Sequence, residues 1–88
     1  MLKLIYENRF EKDLKLAKKR NRDLEKLYSI VLLLREKKVL PIKNKNHKLL
    51  GQLKAYWECH VEPDWLLVYK TTKEAVILSR TGTHSDLF

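Results

Sequence analysis

Eighty-eight residues with 44% hydrophobic content suit one domain, residues 1–88, built on one core, and leave no room for a second. Two glycines, two prolines and a lone cysteine exclude a low-complexity chain, an internal disulfide framework and a paired-cysteine zinc site. The formal net charge of +8 is unevenly placed: residues 1–50 hold fifteen of the nineteen Lys and Arg but six of the eleven Asp and Glu. A polyanion or an acidic protein is the partner that such a half attracts, although the same lysines also fit a solvated face.

No apolar stretch approaches the roughly 20 residues needed to cross a bilayer. The opening "MLKLIYENRF" lacks the apolar core and small-residue site of a signal peptide, so the expected location is the cytosol. The alternation in "LKLIY" predicts a short first strand at residues 2–6. Asn8 and Glu11 have the spacing of a helix N-cap and its reciprocal carboxylate, so a helix is expected to start there. Phe10, Leu14 and Ala17 form its apolar stripe, leaving Lys12, Lys15, Lys18, Lys19 and Arg20 largely on other faces. A break near "RNRD" opens a second helix with Leu24, Leu27, Tyr28, Val31 and Leu34 on one side. Lys37 and Lys38 suit its negative end, and Pro41 forbids its continuation.

A polar segment, "KNKNHK", leads to Gly51, and the period then changes to two. From Leu53, residues Leu53, Ala55, Trp57, Cys59 and Val61 share one face of a strand, with Lys54, Tyr56, Glu58, His60 and Glu62 on the other. Pro63 and Asp64 make the turn into "WLLVYK", which places His60 and Asp64 at a hairpin bend. "TTKE" closes a second hairpin, and "AVILSR" is apolar enough for a central strand buried on both faces. The order β, α, α, β, β, β predicts an α+β fold, a helical pair packed on one side of a sheet of about four strands.

Candidate chemistry gathers after the helices. His47, His60 and His84, with Asp64 four residues beyond His60, are the proton-transfer groups. Cleavage of RNA by attack of the 2′-hydroxyl on its neighbouring phosphate needs a base, an acid and positive charge for the phosphorane, a charge that Arg80 can supply. Each histidine taken alone is better read as a surface or hydrogen-bonded residue, and Asp64 as a plain turn former. Trp57 and Trp65 suit a core, although Trp65, next to Asp64 at the bend, is also placed to stack on a base, and Phe88 fits either a core plug or a stacking surface for a base. Cys59 is expected to be buried and inert. It forms no recognised metal set with these histidines, and the chain has no phosphate-binding glycine loop.

"HKLLG" (residues 47–51), "HVEPDWLLVYK" (60–70) and "RTGTH" (80–84) followed by Phe88 resemble the YafQ branch of the RelE-like toxins, the toxin halves of bacterial type II toxin–antitoxin pairs. "KDLKLAKKR" extends the likeness to the first helix. The resemblance implies a mainly antiparallel sheet under an N-terminal helical hairpin. It also implies ribosome-dependent cleavage of messenger RNA in the A site, without metal or cofactor. Carried over residue by residue, the functional set is His47, His60, Asp64, His84 and Phe88. His84 would act as general acid or base, His60 and Asp64 would orient or exchange protons, and His47 would help hold the phosphate. Arg80 would stabilise transition-state charge, and Phe88 would stack on a nucleotide.

The lysines and Arg20 of the first helix would then dock on ribosomal RNA. An acidic or partly disordered antitoxin would cover the site, and through it the complex would reach operator DNA. Relatives often carry Asp where this chain has Asn46, and an Arg near Trp57. Two rivals stand beside this reading: a non-catalytic RNA- or ribosome-binding protein, and a superfamily toxin directed at DNA gyrase.

Overall fold

In the computed structural model, which describes residues 1–88, the chain opens with β1 (Lys3–Tyr6), tied to the core by Leu2 and Leu4. The helix α1 (Asn8–Lys19) follows. Its N-cap is Glu7, in extended conformation and without a side-chain cap bond, so Asn8 is already helical and does not form the expected cap. Phe10 and Ala17 are buried and Leu14 packs against the same core, as the stripe required. Beyond the helix Asn21 is left-handed at φ 57°, Arg22 N–H donates to the Ala17 carbonyl and Asn21 N–H to that of Lys18. This is a Schellman closure, with Asn in the position that tolerates a left-handed backbone.

Asp23 caps α2 (Leu24–Arg35) by accepting from Glu25 N–H. Leu27, Ile30, Val31 and Leu34 are its buried residues, while Tyr28, expected in the stripe, is 46% exposed and Ile30 turns inward instead. The helix stops well before Pro41. Lys37, at φ 59°, closes a second Schellman motif in which Lys38 N–H donates to the Leu33 carbonyl. After a 3-10 turn at Ile42–Asn44 comes β2 (His47–Lys48), a strand drawn from the segment that its polarity marked as loop. The sheet therefore has five strands, not about four.

Gly51, left-handed at φ 67°, opens another 3-10 turn at Gly51–Leu53. That turn delays β3 (Trp57–Glu62), so the alternating run starts at Trp57 instead of Leu53. The hairpin strands β4 (Trp65–Thr71) and β5 (Ala75–Gly82) follow, and a one-turn helix, α3 (His84–Leu87), ends the chain's regular structure. Strand order is β1-β5-β4-β3-β2, with β1 parallel to β5 and every other pair antiparallel. Both long helices bury their stripes on one face, against Cys59, Val61, Trp65, Leu67, Tyr69, Val76 and Leu78. The opposite face carries the intervening residues of the same strands.

Two protonated groups are sealed in this core. Burial pushes the Cys59 thiol up to about 12, and burial likewise pushes the Tyr69 phenol to about 12. Each holds its proton more tightly folded than unfolded, so the stability they contribute is present below about pH 9 and is lost as pH rises towards 12. The urea midpoint is expected to fall between about pH 8 and about pH 10.5, and a thiol reagent at about pH 8 to label Cys59 only after unfolding. A flat midpoint together with rapid labelling of the native protein would contradict both.

Candidate active site

Strand register decides which polar side chains share the face away from the helices. His47 pairs with Glu58, Glu58 with Val68, and Val68 with Arg80, so these four lie in one row across β2, β3, β4 and β5. Directly paired residues point to the same side. The row spans three inter-strand spacings, roughly 14 Å. Two residues further along β3, His60 pairs with Leu66, and Leu66 pairs with Gly82. Asp64 is exposed in the turn at that same end of the sheet, and His84 begins α3 two residues past Gly82. His60, Asp64 and His84 thus lie towards one end of the sheet, His60 and Gly82 being two inter-strand spacings, roughly 10 Å, apart, with His47 and Arg80 one row inward.

The register also supplies partners that sequence spacing did not. His47 Nδ1 donates to the Lys45 carbonyl at 2.7 Å, and its Nε2 lies 3.4 Å from Glu58 Oε1. Glu58 is therefore the carboxylate beside this ring, a place that the neighbouring Asn46 does not fill. Asn46 instead accepts a 2.6 Å hydrogen bond from the Tyr69 hydroxyl. Alternation had already put Glu58 on the face of His60, but its burial to 5% exposure beside His47 follows from β2, which polarity concealed. His60 Nδ1 lies 3.2 Å from the Pro63 carbonyl, so the bend holds this ring through backbone and leaves Nε2 as the free nitrogen.

Arg80 is clamped. Its Nε donates to Asp13 Oδ2 at 2.7 Å and its Nη2 to Oδ1 at 3.3 Å, while Thr81 N–H donates to the same carboxylate at 3.1 Å. The side-chain hydrogen bond to Asp13 raises the Arg80 pKa further above its usual value, so the guanidinium is a fixed positive charge. Asp13 flanks the apolar stripe of α1, three residues after Phe10, and helical periodicity gave no hint of its partner 67 residues away.

Beyond Arg80 the chain folds over the sheet. A cleft of about 190 Å3 opens between Leu49, Leu53 and Tyr56 on one side and Leu87 and Phe88 on the other, with Val68, Ser79 and Arg80 also lining it. Ser79 occupies a β-bulge opposite the Val68–Tyr69 step, and its buried hydroxyl has no hydrogen-bond partner. Phe88 is 62% exposed, and its ring centroid is 5.8 Å from that of His84. It is not a core plug.

One sequence expectation changes. Trp65 is fully buried, donates through Nε1 to Thr81 Oγ1 at 2.9 Å and lies beneath the Arg22 guanidinium, so its ring offers no face to a base. Arg20, exposed like Lys12, Lys15, Lys18 and Lys19 of α1, forms an ion pair with Asp86 at 2.7 Å. No three His, Cys, Asp or Glu side chains converge closely enough to hold a metal ion.

The family model for the bacterial toxin of type II toxin–antitoxin system, YafQ, matches residues 2–88. The chain is 46% identical over 84 residues to the mRNA interferase toxin YafQ of Escherichia coli (strain K12), a match covering 94% of this chain and 91% of that protein. The crystal structure of YafQ from E. coli strain BL21(DE3) is similar with a TM-score of 0.93 at 42% identity, covering 100% of this chain and 99% of that one. In the crystal structure of the E. coli DinJ–YafQ toxin–antitoxin complex, the matching chain gives a TM-score of 0.91 at 43% identity, covering 99% of this chain and 97% of that one.

Because the Phe88 ring is largely solvated, Phe88→Ala is expected to change folding stability by no more than about 1 kcal/mol. Urea unfolding checks this, and a loss of about 3 kcal/mol, as for a buried ring, would restore the plug.

Proposed function

Since the chain belongs to the YafQ family of bacterial type II toxin–antitoxin toxins, we propose that it cleaves messenger RNA on the ribosome, using protein side chains as acid and base. The observation that supports this reading is the register that puts His47 and Arg80 in one row of a sheet face and His60 in the next, towards the end where the Asp64 turn and the His84 helix also lie. A base removes the 2′-hydroxyl proton, the 2′-oxygen forms a bond to phosphorus, and the P–O5′ bond breaks as an acid protonates the departing oxygen. The products are a 2′,3′-cyclic phosphate and a free 5′-hydroxyl. His84 serves one of the two proton transfers, and His60 with Asp64 serves or orients the other. Arg80 faces the charge that develops on the phosphorane, and His47 helps hold the phosphate. Phe88 stacks on a nucleotide beside the scissile bond.

Residues 1–88 act as one unit in this reading, in the cytoplasm where ribosomes are found. No helix is long and apolar enough to cross a membrane. Lys12, Lys15, Lys18 and Lys19 dock on ribosomal RNA through phosphate contacts. The E. coli relative is found in complex with the antitoxin DinJ, and a cognate antitoxin is the corresponding protein partner here, able to carry the pair to operator DNA.

His84→Ala is expected to lower the cleavage rate about 10²- to 10⁴-fold. Primer extension on a reporter transcript after induced expression checks it, with codon-phased cuts in wild type that vanish in the variant. Growth arrest that survives the substitution would refute catalysis by this site. Reversing Lys12, Lys15, Lys18 and Lys19 to Glu is expected to weaken ribosome binding and flatten its salt dependence; unchanged co-sedimentation with ribosomes would remove the docking role.

A further inference from the structure

The helix that carries His84 is too short to hold itself. Four residues make a single turn, and isolated helices of that length are unstable in water. Its only apolar anchors are half-buried Leu87 and exposed Phe88. What holds it is Asp86. The Asp86 carboxylate accepts from Arg20 Nη1 at 2.7 Å and Nη2 at 3.3 Å, and from Thr83 N–H at 2.9 Å. Its own backbone N–H donates to Thr83 Oγ1 at 3.1 Å, completing a capping box. Gly82 fits closely beneath: a Cβ there would lie 2.9 Å from Asp86 Oδ2.

We propose that the Arg20–Asp86 pair is a latch that positions His84 and Phe88 for catalysis, making both members positioning residues of the site. The inference rests on the cleavage reading for its catalytic consequence, but not for the latch itself. Arg20 lies at the C-terminal cap of α1, at the end of the lysine stripe, and reaches across 66 residues of sequence to the tail. The hydrogen bond from Arg20, followed by that of Thr83, holds the Asp86 carboxyl well below the usual carboxylate range. The latch therefore stays charged throughout the pH range in which histidine titrates.

The test uses the full chain with Asp86→Asn, which keeps an oxygen for the Thr83 cap while removing the charge, with Arg20→Gln, and with the double variant. On ribosomes programmed with a reporter message, each single variant is expected to cut the saturating cleavage rate about tenfold. The half-saturating toxin concentration should stay within about twofold of wild type, and the double variant should fall no further than the singles. Full cleavage by Asp86→Asn, or an Arg20→Gln variant that changes only the half-saturating concentration, would overturn the latch and return Arg20 to docking. Amide exchange in the free protein is the second measurement, since the Phe88 N–H bonds to the His84 carbonyl at 2.8 Å. Faster exchange at Phe88 in Asp86→Asn, with the β-sheet amides unchanged, supports the latch, and unaltered exchange overturns it. A wild-type protein that leaves ribosome-bound message intact would sink the cleavage reading alone.

Discussion

The half of β5 that β1 leaves unpaired governs the site. β1 reaches only from Lys3 to Tyr6 and pairs with Ala75 to Leu78, so the strand edge from Ser79 onward needs another partner. Asp13, on the helix that follows β1 directly, takes the Thr81 N–H and turns the same carboxylate to the Arg80 guanidinium. An unmet backbone donor would be costly at a buried position. One acidic side chain thus completes the sheet edge and fixes the cation facing the cleft.

From that point the chain is held at each step towards its end. Thr81 fills the core side by accepting from the Trp65 indole and donating to the Leu66 carbonyl. Gly82 permits close approach of the tail, and Thr83 and Asp86 cap the last helix. Trp65 thereby contributes to the site from behind, as a rigid support for the strand bearing Arg80. A buried hydrogen-bonded indole is rigid in a way that a solvent-exposed stacking ring is not. The same division of labour separates the basic residues: the α1 lysines remain in solvent, whereas Arg20, Arg22 and Arg80 are each committed to an internal partner.

The likeness to YafQ covers nearly the whole chain, yet two local features are readable only from this molecule's own geometry. Glu58 lies against His47 where Asn46 is turned away to Tyr69, so the carboxylate beside this histidine comes from the neighbouring strand. Arg20 and Asp86 tie the end of the first helix to the last turn. Both are tertiary contacts between residues whose immediate neighbours in sequence do not suggest them.

The sequence by itself determined the α+β class, the helical pair, both hairpins and the burial of Cys59, because these follow from apolar periodicity and turn chemistry that act over a few residues. It also named His47, His60, Asp64 and His84 through a family resemblance, while spacing alone left each open. Only the tertiary structure decided the fifth strand, since two polar residues carry no period and β2 exists by pairing with β3. The fate of Trp65 was settled the same way: its position at a bend is compatible with exposure, but Thr81 and Arg22 close over it from distant parts of the chain. Ion pairs such as Asp13–Arg80 and Arg20–Asp86 depend on where elements meet in space, and no local pattern in the sequence encodes that meeting.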